Sequence, residues 1–167
     1  MKPVACSLLL IFGALCTDAQ IARKKIAPEL TSFFTGKWAG RGEFANGRKI
    51  SANVSFSLKL DSAWLVYEHE DQLPNHYKAI AYWSTDPASG QFKAYFFDNS
   101  HGARKFDSEG WKDGQLVLTN ISELPGKKIY QHFIYKKLSD SSYRMTYETS
   151  RDSLSWKMGD YLVFVRQ

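Results

Sequence analysis

Cysteine is all but missing from this chain. Its 167 residues contain two, Cys6 and Cys16, and both fall in a stretch that reads as a leader. A domain that follows the leader has no disulfide, so its apolar core must hold it together, and it has no cysteine nucleophile. Proline is scarce as well: Pro74, Pro87 and Pro125 all stand among turn residues, and none interrupts a strand pattern. Neither sign of charge dominates, with 22 Lys+Arg against 17 Asp+Glu and a net charge of +5. That excess favours anionic surroundings only mildly. No helical, finger or stacking motif accompanies it, so no nucleic-acid partner is expected. Long apolar runs are absent too. The longest, Val4 to Leu15, falls short of the ~20 residues a membrane span needs, so no membrane span is expected. There is no Gly-x-Ser-x-Gly elbow and no glycine-rich phosphate loop. The four histidines, His69, His76, His101 and His132, stand too far apart for a local metal-ligand spacing, so no metal site is expected.

What the short apolar run does fit is export. Lys2 supplies a positive start, Val4 to Leu15 the apolar stretch, and Thr17-Asp18-Ala19 a small-residue exit, so 1–19 reads as a signal peptide. The expected location is periplasmic or extracellular. A lipid anchor on Cys16 is the alternative, although Leu15 is larger than the residue such leaders carry there. Residues 20–32 then form an N-terminal tail with a short helical turn around Pro28, and 33–167 one domain.

That domain alternates strand and turn almost without interruption. Ile50, Ala52, Val54, Phe56, Leu58 and Leu60 alternate with Ser51, Asn53, Ser55, Ser57 and Lys59, a period of two without error. Asn46-Gly47 before it suits a hairpin turn. Further strands follow at regular intervals, and the last is expected over 161–166 after a turn at 157–160. Connections of hairpin length favour neighbour-to-neighbour order, and few strands carry edge defences. The fold class read from this pattern is all-β, a closed antiparallel up-and-down β-barrel of about ten strands, rather than a sandwich. The opening Gly36-Lys37-Trp38-Ala39-Gly40-Arg41-Gly42 fits it: glycines at alternate positions mark a sharp bend or the close approach of another backbone, and Trp38 plugs one end.

A barrel is a container, and 15% of the residues are aromatic. Many tyrosines suit an apolar wall with hydroxyl tips. The candidate lumenal residues are Tyr67, His69, Tyr82, Tyr95, Arg104 and Tyr130. In Glu68-His69-Glu70-Asp71, alternation places His69 with Tyr67 on one face and the two glutamates on the other. An inward Arg104 would seat a ligand carboxylate, or pair with a protein carboxylate such as Asp98 or Glu148.

Gly36-x-Trp38, together with Arg166 near the C-terminus, resembles the calycin superfamily of lipocalins and fatty-acid-binding proteins. The resemblance implies that Trp38 closes one barrel end and packs against the basic Arg166. The stretch Gly36 to Phe44, with Trp64-Leu65, Asp98-Asn99, Gly102-Ala103-Arg104, Gly110-Trp111 and Gly159-Asp160-Tyr161-Leu162, is similar to a bacterial family of lipocalin-like proteins built on a domain of unknown function. Gly-x-Trp-x-Gly-x-Gly also resembles the opening of nitrobindin, a haem barrel whose axial histidine precedes the last strand. Here Trp156 to Tyr161 holds no histidine, leaving Tyr161 or Met158 as substitutes, so no cofactor is expected. The functional expectation is an exported monomer or weak dimer that binds a small apolar or amphipathic molecule in its lumen. A barrel isomerase, lyase or hydrolase using the same lumen is the alternative, and a haem protein the third.

Overall fold

The structure is a computed structural model and describes residues 25–167; the expected leader and Cys16 lie outside the described residues. One short helix, α1 (Pro28–Phe34), precedes the strands β1 (Gly36–Phe44), β2 (Lys49–Lys59), β3 (Trp64–Asp71), β4 (Lys78–Thr85), β5 (Phe92–Asp98) and β6 (Ala103–Ser108). After these come β7 (Trp111–Lys112), β8 (Gln115–Leu124), β9 (Lys127–Ser139), β10 (Ser142–Ser150) and β11 (Trp156–Arg166). Each long strand pairs antiparallel with its neighbours in sequence, and β11 returns to β1. The result is a closed, up-and-down barrel of 10 strands, with β7 a two-residue stub beside β8.

Alternation decides which side chains turn inward. In β2, Ile50, Ala52, Val54 and Phe56 are buried and Asn53 is exposed. Leu58 and Leu60 continue the period but lie at the rim, 38% and 74% exposed, because the strand ends at Lys59. The β1–β11 seam is pinned by register from Trp38↔Arg166 to Phe44↔Asp160. Here the alternate glycines find their reason. A Cβ at Gly40 would lie 2.4 Å from the Phe164 ring, and one at Gly42 1.7 Å from the Tyr161 carbonyl oxygen. Any side chain at Gly42 would push the two seam strands apart.

The barrel is packed solid at one end. Leu30, Phe33 and Phe34 of α1 are buried, so the short helical turn closes this end. Phe34 meets Phe56 at 4.9 Å, and Trp38 meets Tyr143 at 4.9 Å. Trp38 Nε1 donates to the Phe34 carbonyl at 2.7 Å. The Arg166 guanidinium lies 4.3 Å over the Trp38 ring and donates to the Thr35 carbonyl at 2.7 Å and to the Phe33 carbonyl. These bonds satisfy carbonyls that the end of a helix leaves open.

Two features differ from the sequence pattern. The last strand begins at Trp156, not at 161. The turn before it is set by Asp152, whose Oδ1 accepts from the Leu154 and Ser155 amides at 2.9 and 2.7 Å. Gly159, read as a turn residue, instead sits at a register shift opposite Tyr147/Glu148, an extra residue within the strand. The second difference is the closure between β6 and β8. It has one register pair, Asp107↔Thr119, and is completed by side chains: Thr119 Oγ1 donates to the Asp107 carbonyl at 3.1 Å and Asn120 Nδ2 to the Lys105 carbonyl at 2.7 Å.

Candidate functional site

The end opposite α1 is hollow. A cavity of about 270 Å³ opens there, walled by the apolar side chains of Phe44, Ile50, Phe96, Phe133, Met145 and Leu162. Its polar groups begin with β3, where the two-residue period points Tyr67, His69 and Asp71 inward in succession. The Tyr67 hydroxyl lies 2.7 Å from His69 Nδ1, and His69 Nε2 lies 2.7 Å from Asp71 Oδ1. Burial pushes the Tyr67 hydroxyl well above its ordinary range, so it keeps its proton. That proton is then donated to Nδ1, and Nε2–H donates to the Asp71 carboxylate. The three groups form one hydrogen-bonded line down a single strand, with His69 and Asp71 each 7% exposed.

Other strands bring the remaining polar groups. Arg104, at the start of β6, binds Asp98 Oδ2 at 2.9 Å. Asp98 is itself fixed by accepting from the Ser100 and Gly102 amides at 3.0 and 2.9 Å. Tyr77 and Tyr147 also line the cavity; burial raises both hydroxyls, and the neighbouring Arg104 opposes that rise. Asp160, carried inward by β11, completes the set. Burial pushes its carboxyl up to about 6, with Asp71 adding to the rise and His69 opposing it. No hydrogen bond contributes to its balance.

The structure therefore brings together three of the six candidates, Tyr67, His69 and Arg104. It does not bring the other three into the lumen. Tyr82 and Tyr95 stand on the outer face, where both pack against Trp64, because their neighbours Ala81, Trp83, Ala94 and Phe96 take the inward positions. Tyr130 shares its register with the exposed Ile121, on the opposite face from Phe133. Of Arg104's two suggested partners, Asp98 is the one; Glu148 pairs with His132 at 3.0 Å instead. Asp71, Tyr77, Tyr147 and Asp160 were not among the candidates. The acidic cluster around His69 signalled Asp71; Asp160 keeps the two-residue phase of the buried Leu162 and Phe164, a signal hidden by reading 157–160 as a turn.

Haem does not fit these donors. Tyr161 lies under the Arg144 guanidinium at 4.1 Å, and Met158 is 39% exposed; neither lines the cavity. His69 does, but both its ring nitrogens are already engaged.

No protein-family model matches the sequence, and no curated protein matches it. Among solved structures the chain is similar to Rv2717c from M. tuberculosis, at 14% identity and a TM-score of 0.59, covering 85% of this chain and 99% of that one. It is also similar to a de novo designed fluorescence-activating β-barrel (9% identity, TM-score 0.46, 84% and 100% covered) and to a redesigned β-barrel (11%, 0.39, 82% and 94%). The likeness to Rv2717c is one of fold; the two designed barrels share it more loosely.

Proposed function

We propose that this protein is an exported binding barrel that holds a small apolar or amphipathic molecule in its lumen. The observation that carries the reading is the contrast between the two ends: aromatic side chains fill one, while the other keeps a cavity of about 270 Å³ with apolar walls and a convergent polar set. Such a combination is what small-molecule sites present. Export rests on the leader pattern of residues 1–19, and a monomer or weak dimer is the form proposed. Protein purified from its own host should retain a small molecule in native mass spectrometry. It should also bind an environment-sensitive fluorescent lipid that the cavity-filling change Met145→Trp excludes. The absence of both a retained molecule and probe binding would overturn the reading.

Acid–base catalysis in the same lumen is the second reading, favoured by the raised Asp160 carboxyl beside the His69–Asp71 pair. Against it, His69 has no ring nitrogen free to meet a substrate. Turnover of a small molecule that disappears in Asp160→Asn would shift the balance toward it.

A further inference from the structure

The cavity is short of positive charge. Among the described lining residues, Arg104 is already paired with Asp98 at 2.9 Å, and His69 has both ring nitrogens engaged by Tyr67 and Asp71. Arg48 is close by, but it lies over the Phe44 ring at 5.1 Å, donates to Asn75 at 3.0 Å and is not part of the lining. Facing the hollow are two more carboxyls, Asp71 and Asp160. The first has one oxygen on His69, and the second accepts no side-chain hydrogen bond among the described residues. The apolar walls include the aromatic rings of Phe44, Phe96 and Phe133.

This arrangement sorts ligand headgroups. A ligand carboxylate would enter a poorly screened space already holding two carboxyls, and would meet a guanidinium whose charge is already balanced by Asp98. An ammonium group meets two carboxylate acceptors within apolar walls, and both attract it. We infer that the ligand of this cavity is a small organic cation, a protonated amine on an apolar ring-sized body, with its ammonium held by Asp71 and Asp160. The inference rests on the cavity being a binding site at all, and it replaces the carboxylate headgroup that an unpaired Arg104 suggests.

The test is a set of three ligands on one skeleton, titrated calorimetrically into the full barrel at neutral pH: phenethylamine, phenethyl alcohol and hydrocinnamate. The expected order is amine first, by about tenfold or more over the alcohol (about 1.4 kcal/mol), with hydrocinnamate weakest. In Asp160→Asn the amine-to-alcohol ratio should fall several-fold toward one, and Asp71→Asn provides a second variant should the first misfold. Alcohol bound as tightly as amine, or hydrocinnamate bound tightest, overturns the amine assignment and leaves the cavity standing as a site. Binding of none of the three overturns the amine assignment, and the fluorescent-lipid assay then decides separately whether the cavity is a site.

Discussion

A carboxyl group facing an apolar cavity holds its proton more tightly than one in water, and Asp160 does so with a pKa of about 6 in place of 3.8. The folded state therefore binds this proton more strongly than the unfolded chain. The stability it contributes is complete below the unfolded value and is lost as pH rises through about 6. A shift of this size corresponds to at most roughly 3 kcal/mol. Asp160→Asn should accordingly raise stability by about 1–3 kcal/mol near pH 7.5 and by nothing near pH 4, checked by urea unfolding at both. An equal gain at both pH values would mean that Asp160's charge is not what burial penalises. Glycine at the seam gives a second prediction at this scale. Gly42→Ala places a Cβ against the Tyr161 carbonyl, and overpacking of this kind costs about 1–3 kcal/mol or more. Thermal unfolding should show a marked loss, larger than for Gly47→Ala, where a Cβ meets nothing within 4 Å; Gly47's positive φ still carries a conformational penalty.

Elements show why some of the site was legible and some was not. Tyr67, His69 and Asp71 share one strand, so their common face follows from the two-residue period and the first two could be read without any partner strand. Tyr82 and Tyr95 obey the same period but fall on its outer phase. Aromatic content alone carries no phase, which is why composition suggested them and geometry did not. The bulge at Gly159 is a different case. It lets β11 run back to Trp156 where the pattern suggests a turn, so Asp160 lies within the strand, paired with Tyr147 in the same inward phase as Leu162 and Phe164. The helix α1 closes one end of the barrel. Phe34 is fully buried among Phe56, Trp83 and Tyr143, so Phe34→Ala should cost about 3–5 kcal/mol by denaturant unfolding. A deletion of residues 1–27 that leaves α1 intact should cost far less than one that removes 1–34.

At the scale of the whole molecule, the two closures of the barrel differ in strength. β1 and β11 share a continuous ladder, whereas β6 and β8 meet at Asp107↔Thr119 and depend on Thr119 and Asn120 side chains for the rest. Backbone amides at a thin closure open at lower free energy. Hydrogen exchange should therefore be faster across β6 and the facing part of β8 than across β1 and β11, and faster still in Asn120→Ala. Uniform protection around the barrel would contradict this.

Local pattern alone determined that the chain is all-β, that it closes as an antiparallel up-and-down barrel, and that Tyr67 and His69 share a face. Each of these depends on spacing within a strand or on the length of a connection, and both are written in consecutive residues. Tertiary structure alone decided that Arg104 is spent on Asp98 and that Asp71 and Asp160 meet in one cavity. Those outcomes depend on which strands become neighbours, and in what register, once the barrel closes. Residues far apart in the chain then share a space whose charge balance no single segment contains.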